Sequence, residues 1–314
     1  MNDRTDMWSG DSPRAARSGI VPWGWGVSSQ PFIHMKGKVV VITGGTSGIG
    51  WVAAERLAGM GARVVLVARD RARGETAVTR LRERAADIGH SVHHADLSRV
   101  AEMKRVAAEI SQAEPRIDVL INNAGALFSS RRVTQDGLER TFALNHVAYF
   151  VLTHGLRERL EAAAPARVVN VASDAHHGKR LDFRDLQSAT AYRGFAAYGR
   201  SKLCNILFTR ELARRWTGRG ITVNSLHPGF VSTRFGDESG GLSSYAIRLA
   251  KLFAISPERG ADTIVYLASS DEVAGVTGGY FYKRRPATPS PEAQDAAAAS
   301  QLWRETAHMA GLEP

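Results

Sequence analysis

One cysteine, Cys204, in 314 residues excludes an intrachain disulfide. It suits a reducing compartment, so a cytoplasmic setting is expected. Long apolar runs are also missing. The longest, such as Val39–Ile42 and Val64–Ala68, are strand-sized and far short of the roughly 18 residues a membrane helix needs, so no integral membrane segment is expected. Blocks of like charge are missing too. The formal charge of +10, from 41 Lys and Arg against 31 Asp and Glu, raises the question of nucleic acid. The arginines, however, are interleaved with acids, as in Arg80-Leu-Arg-Glu-Arg84 and Arg210-Glu-Leu-Ala-Arg-Arg215. That is the pattern of solvated helix faces, and no nucleic-acid partner is expected. His93-His94 and His176-His177 are adjacent pairs, not metal-ligand spacings, so no metal site is expected. They read as loop or surface residues, with His176 and His177 close enough to Ser173 to line a substrate mouth.

What the chain does have is order after residue 34. Residues 1–34 are rich in Gly, Ser, Pro and Trp and carry no apolar period. Pro22, Gly24, Gly26 and Pro31 interrupt any signal-peptide core, so the stretch reads as a disordered arm. Met35 follows it as a natural alternative start. From there, short Val/Ile-rich runs alternate with helical patterns. Strands are predicted at Val39–Thr43, Arg63–Ala68, Ser91–Ala95, Val119–Asn122, Arg167–Val171, Thr222–Leu226 and Gly279–Tyr282. Helical patterns include Trp51–Met60, Arg99–Gln112, Val147–Ala163 and Ala197–Trp216. Such alternation predicts a parallel sheet covered on both faces. Ser256-Pro257-Glu258 announces a further helix, and Ser290-Pro291-Glu292 repeats the signal before an Ala-rich helix that Gly311 closes. No repeat and no second core are visible. The reading is one domain over 35–285, with a helical tail at 286–314 packed on it.

The first strand runs into Thr43-Gly-Gly-Thr-Ser-Gly-Ile-Gly50 and then into a helix. Glycines at 44, 48 and 50 let the backbone turn sharply and approach a pyrophosphate, while the helix N-terminus offers free N–H groups and its dipole. Gly44, Thr46, Ser47, Gly48, Ile49 and Gly50 are therefore candidate dinucleotide-binding residues, and the fold is a Rossmann-type, doubly wound α/β sheet. The second strand ends in Ala68-Arg69-Asp70, about twenty residues on. A carboxylate on the ribose 2′-hydroxyl would mark NAD(H). Arg69 can instead pair with a 2′-phosphate, which favours NADP(H) over NAD(H), provided that Asp70 points away. Arg71 and Arg73 add to the positive charge.

The T-G-x-x-x-G-x-G spacing resembles that of the short-chain dehydrogenase/reductase family, and further motifs follow in the family's order. These are Asp96-Leu97 after the third strand, Asn122-Asn-Ala-Gly125 after the fourth, Asn145 in Phe142-Ala-Leu-Asn-His146, Ser173 after the fifth, Tyr198-Gly-Arg-Ser-Lys202, and Pro228-Gly229 with Val231 and Thr233. Ser173-Asp-Ala-His-His177, Lys202-Leu-Cys-Asn-Ile206, His227-Pro-Gly229 and Leu302-Trp303 look like the retinol dehydrogenase-like branch. The resemblance implies Asn145, Ser173, Tyr198 and Lys202 as catalytic residues. It implies Asp96, Leu97, Asn123, Ala124, Gly125, Pro228, Gly229, Val231 and Thr233 as further cofactor contacts, with Tyr198 and Lys202 reaching the cofactor as well. It also implies a homodimer or homotetramer. Trp51 departs from the branch, which often has a lysine there.

The spacing itself has a physical reading. Lys202 lies at i+4 from Tyr198, so both side chains share a helix face. Tyrosine titrates near 10 in water, and a nearby ammonium, together with an oxidised nicotinamide, is expected to lower that value. Ser173 would hydrogen-bond the substrate oxygen, and the family assigns Asn145 to a water linking Lys202 to solvent. Cys204 reads as a packed core thiol, and the apolar stretch Tyr245–Phe253 as a lid over a bulky apolar substrate. The expected activity is hydride transfer between NADP(H) and the carbonyl or alcohol of such a small molecule. A non-catalytic nucleotide-binding regulator and an epimerase or dehydratase are the alternatives. The intact Tyr198 and Lys202 argue against the first, and the short C-terminal region argues against the second.

Overall fold

The alternation of side chains along each strand decides which layer it meets. A computed structural model describes residues 35–85, 88–229 and 255–314. The arm 1–34, Val231, Thr233 and the Tyr245–Phe253 stretch lie outside the described residues. In β1 (Val39–Thr43) every residue is buried. Val39 and Val41 enter one core, and Val40 and Ile42 enter another. β2 (Arg63–Ala68) repeats the pattern, with Val65 and Val67 on the first side and Val64 and Leu66 on the second. Strands of this kind need cover on both faces. The first core is closed by α3 (Val100–Ala113), α5 (Ala148–Gly155), α6 (Arg157–Ala163), α7 (Gly194–Arg215) and α9 (Ala296–Ala310). The second is closed by α1 (Gly48–Gly59), α2 (Arg71–Arg84) and α8 (Pro257–Ser269).

With β3 (Ser91–His94), β4 (Val119–Asn122), β5 (Ala166–Val171), β6 (Ile221–Leu226), β7 (Tyr280–Tyr282) and β8 (Arg285–Pro286), the strand order is β3-β2-β1-β4-β5-β6-β7-β8. Neighbours are parallel through β7, and β8 returns antiparallel. This is the doubly wound sheet expected. The chain winds from β1 out to β3, then crosses back to β4 on the other side of β1. The crevice between the C-terminal ends of β1 and β4 is therefore the switch point where such sheets bind ligands.

Two local expectations change. The predicted Val147–Ala163 helix starts earlier and breaks once. A short α4 (Arg140–Phe142) widens into a π turn over Ala143–Val147, and α5 stops at Gly155 before α6 restarts. Gly155 lies so close to α3 that a Cβ there would sit 2.7 Å from that of Ala107. Next, Ser290-Pro291-Glu292 opens only a 3-10 turn, Pro291–Gln294, because Asp295 accepts from the Ala298 N–H and caps α9 itself. Gly311 closes that helix in the left-handed region at φ +57. The helix α2 carries arginine at half of its exposed positions and is held by a buried stripe of Ala77, Val78 and Leu81. Among the described residues, no helix is long and apolar enough to cross a membrane.

The α9 helix is bound into the first core by Trp303. Its ring meets Phe150 at 4.9 Å, His154 at 4.9 Å and Phe208 at 5.9 Å, with the Arg215 guanidinium 4.4 Å over it.

Candidate active site

At the switch point, two strand ends are drawn together by side-chain bonds. Thr43 closes β1, and its Oγ1 accepts from the backbone N–H groups of Asn123 (2.9 Å) and Ala124 (3.0 Å) just past β4. Asn123 answers by donating Nδ2 to the carbonyls of Thr43 (3.0 Å) and Gly44 (3.1 Å). Gly44 at φ +66 and Gly48 at φ +57 make the turn. A Cβ on Gly44 would stand 2.9 Å from the Ala124 Cα, and one on Gly50 would strike Asn123 and the Gly44 carbonyl. Thr46, Gly48 and Ile49 are half-exposed, and Ser47 is exposed and makes no side-chain cap. The first N–H groups of α1 thus remain available to an anion. A turn cleared of side chains and aimed by an uncapped helix fits a dinucleotide pyrophosphate.

At the end of β2, Arg69 is exposed, and the carboxylate of Asp70 is turned into the start of α2. It accepts from the Arg73 N–H at 2.9 Å and lies 3.8 Å from the Arg73 Nε. The acid is tied to its own helix, as the sequence reading required. Trp51 is buried against the second core with the Arg80 guanidinium 4.1 Å over its ring, so it packs where the branch offers a lysine. Asp96 accepts from the Ser98 N–H and hydroxyl, at 3.0 and 2.8 Å. Leu97 is buried in the first core.

The next cluster gathers below β4 and β5. Asn145 sits in the π turn, fully buried. Its Oδ1 accepts from the Ala126 N–H, and its Nδ2 donates to the Ala126 carbonyl, both at 2.9 Å, and to Ser201 Oγ at 3.0 Å. It therefore clamps the loop after Gly125. A Cβ on Gly125 would lie 3.2 Å from Asn145 Oδ1 and 3.4 Å from Lys202 Nζ, so glycine is what lets this loop pass the lysine. Tyr198 and Lys202 are buried on one face of α7. Lys202 Nζ donates to the Val171 carbonyl at 2.9 Å and lies 5.6 Å from the ring centres of both Tyr149 and Tyr198.

Burial dominates the electrostatics of the pair. Burial pushes the Tyr198 phenol up to about 12, against a hydrogen bond with Ser173 that pulls it down. Burial brings Lys202 down to about 7. Desolvation penalises the charged form of each group, which raises the tyrosine and lowers the lysine. Ser173 is half-exposed at the end of β5 and also accepts from the Ala175 N–H at 3.2 Å.

His176 is a correction. It does not line a mouth. It is fully buried, donating Nδ1–H to the Ser173 carbonyl at 2.7 Å and accepting from the Ser290 N–H at Nε2 at 3.1 Å. With both nitrogens engaged it bolts the segment after β5 to the loop before α9, and burial lowers its pKa. His177 is exposed beside Asp174, and Cys204 is buried in the core as expected. Gly229 follows Pro228 at φ +84, where a Cβ would meet the Ile255 side chain at 2.9 Å. Among the described residues, no group of His, Cys, Asp and Glu could hold a metal ion.

Several polar residues escape a motif reading. Asn122 donates to Thr153 and Asn170, at 3.1 and 2.9 Å, and Asn170 donates to Thr209 at 3.0 Å, a buried ladder across β4, β5 and α7. Asn205 and His146 also enter the site from behind. Strand-embedded asparagines were the one signal that could have flagged the ladder.

A short chain dehydrogenase model matches residues 38–240. The chain is 40% identical to retinol dehydrogenase 13 of Homo sapiens over 283 residues, covering 88% of this chain and 86% of that protein. Of solved structures, an uncharacterized protein from Mycobacterium paratuberculosis is similar at a TM-score of 0.73 and 31% identity, covering 90% of this chain and 97% of that one. The NADP active-site complex of Pseudomonas aeruginosa RhlG is similar at a TM-score of 0.63 and 29% identity, covering 80% and 96%. The family match spans the glycine turn, the switch point and the Tyr198–Lys202 face, and together with the retinol dehydrogenase relatives it places this chain in the short-chain dehydrogenase/reductase family, as a retinol dehydrogenase-like oxidoreductase.

Proposed function

We propose that the chain moves a hydride between NADP(H) and the carbonyl or alcohol carbon of a bulky apolar substrate, with Asn145, Ser173, Tyr198 and Lys202 as its catalytic residues. The observation that carries the reading is the buried Tyr198, hydrogen-bonded to Ser173 and one helical turn from a buried Lys202. When bound, NADPH supplies the hydride. Gly44, Gly50 and the uncapped α1 would hold its pyrophosphate, and Arg69 its 2′-phosphate. Ser173 holds the carbonyl oxygen, and Tyr198 gives that oxygen its phenolic proton, leaving a phenolate. A phenol pushed up to about 12 is fully protonated at neutral pH, the state a proton donor needs. Lys202, brought down to about 7, is poised to return the proton and, as the ammonium, offsets the phenolate charge. Alcohol oxidation runs the same transfers in reverse.

Two observations support the cofactor and substrate classes. Arg69 is exposed at the β2 end while Asp70 is diverted into a helix cap. Phe195 is 60% exposed one helical turn before Tyr198, a large apolar side chain at the surface close in sequence to the proposed proton donor. The relatives named as retinol dehydrogenases act on a substrate of that kind. A panel of carbonyl compounds, assayed with NADPH and NADH at the nicotinamide absorbance, tests the reading. Bulky apolar aldehydes or ketones should give the highest kcat/KM with NADPH. A short 2-oxo acid as the best substrate would refute the substrate class. Tyr198→Phe should retain NADPH binding and lose turnover. More than about a tenth of wild-type activity in that variant would refute the proton donor.

A further inference from the structure

Behind the Tyr198–Lys202 face lies a chain of buried polar side chains to which carbonyl reduction, as derived above, gives no task. Asn205, three residues after Lys202 on α7, is fully buried. Its Nδ2 donates to the Asn145 carbonyl at 2.9 Å. It also reaches the Val171 carbonyl at 3.5 Å, the oxygen that accepts from Lys202 Nζ at 2.9 Å and from the Tyr149 hydroxyl at 3.4 Å. On its other side, Oδ1 pairs with His146 Nδ1 at 3.3 Å, and His146 Nε2 pairs with Thr306 Oγ1 at 3.0 Å. Asn145, His146, Asn205 and Thr306 are all completely inaccessible to solvent.

With the imidazole held neutral by burial, the geometry leaves one assignment of donors. Two carbonyls face the Asn205 nitrogen, so its oxygen faces His146. An amide oxygen only accepts, so His146 carries its proton on Nδ1, and Nε2 accepts from the Thr306 hydroxyl. Each donor strengthens the next, and every member is satisfied. Leucine, isoleucine and phenylalanine surround this line on α7, and an apolar side chain in place of Asn205 would pack without the cost of burying an amide. The π turn supplies the reason for the amide. A turn widened by one residue departs from the regular helical ladder, and here the carbonyl of Asn145 takes a side-chain donor.

We infer that Asn205 is a positioning residue for hydride transfer. It holds the Asn145 turn and the Val171 acceptor of Lys202 in one register, and its own orientation is set from the C-terminal helix through Thr306 and His146. The inference rests on the reading of Tyr198 and Lys202 as the reacting pair. Asn205 touches neither substrate nor cofactor. Its loss acts on the alignment of the proton-transfer groups, where a small misplacement is expensive, and leaves the phosphate turn at Gly44–Gly50 intact.

The test uses the full chain with Asn205→Leu, Thr306→Val and Tyr198→Phe, the best carbonyl substrate of the panel, and NADPH binding by fluorescence. Asn205→Leu should lower kcat by about 10- to 100-fold, with the NADPH Kd and the carbonyl KM within about threefold of wild type. Thr306→Val, which removes only the outermost hydroxyl, should lower kcat by about 3- to 10-fold with the same constancy of KM. A purely structural role would reduce the folded fraction and the melting temperature but leave kcat per NADPH-binding site unchanged, and that result overturns the inference. If Asn205→Leu does not fold, Thr306→Val decides, and a wild-type kcat there overturns it. Activity retained by Tyr198→Phe would overturn the reacting pair and this inference with it. An inactive Tyr198→Phe beside a wild-type kcat in Asn205→Leu would overturn this inference alone.

Discussion

Acid should destabilise this protein through an imidazole that the fold keeps neutral. His146 has no solvent access, has both ring nitrogens bonded, and has its pKa brought down from 6.5 to about 4 by burial, against a smaller upward pull from Asn205. Between those two values the unfolded chain binds the proton and the folded chain does not. The contribution is therefore complete above the unfolded value and is lost as the pH falls toward the folded one. At 1.36 kcal/mol per unit, a displacement of about 2.5 units is about 3 kcal/mol, and roughly 2 kcal/mol of it should vanish between pH 6.5 and about pH 4.5. Many carboxylates also titrate in this window, so the measurement is a difference. Urea unfolding at both pH values, for wild type and for His146→Gln, isolates the imidazole, because glutamine does not titrate. The variant should be less stable near neutrality and show the flatter dependence, by about 2 kcal/mol over the window. His227, also brought down to about 4, is present in both proteins and cancels. Equal slopes would refute a buried neutral His146.

Other outcomes follow from the same geometry. Ala68→Asp with Arg69→Ala should shift the NADPH-to-NADH ratio of kcat/KM toward NADH by about ten-fold or more, and an unchanged ratio would remove Arg69 as the selector. Trp303→Ala should cost about 3–5 kcal/mol in chemical denaturation, since it empties a site lined by Phe150, Phe208 and His154, and a loss under about 1 kcal/mol would contradict that packing. A chain beginning at Met35 should fold and turn over like the full one, since it keeps every residue that builds the two cores. A large fall in melting temperature would assign residues 1–34 a stabilising role.

Local, repeating features were the legible ones. β1, β2 and β4 carry their predicted limits because a doubly covered strand writes itself as an unbroken apolar run. The glycine turn after β1 was legible because glycine is the residue such a backbone demands, and the shared face of Tyr198 and Lys202 because i,i+4 is a property of the helix. What escaped depends on distance or on irregularity. The π turn has no 3.6-residue signature, so Val147–Ala163 looked like one helix. The break at Gly155 comes from the approach of Ala107, a contact between helices and not a local propensity. His146 and Thr306 are 160 residues apart, and His176 and Ser290 are 114 apart. No window along the chain holds both members of either pair. The pKa values of Tyr198 and Lys202 likewise depend on burial that only the assembled core supplies.

The two histidine contacts have a consequence for the order in which the protein is made. Synthesis delivers the turn, the switch point, Asn145, Ser173, Tyr198 and Lys202 first. A growing chain that has emerged only through β6 could close much of its sheet, since domains begin to fold from the N-terminal side. It would still lack Ser290 and Thr306, the partners of His176 and His146. Nucleotide binding is expected to mature before turnover on the ribosome, because α9, which carries Thr306, is translated after every residue proposed for catalysis.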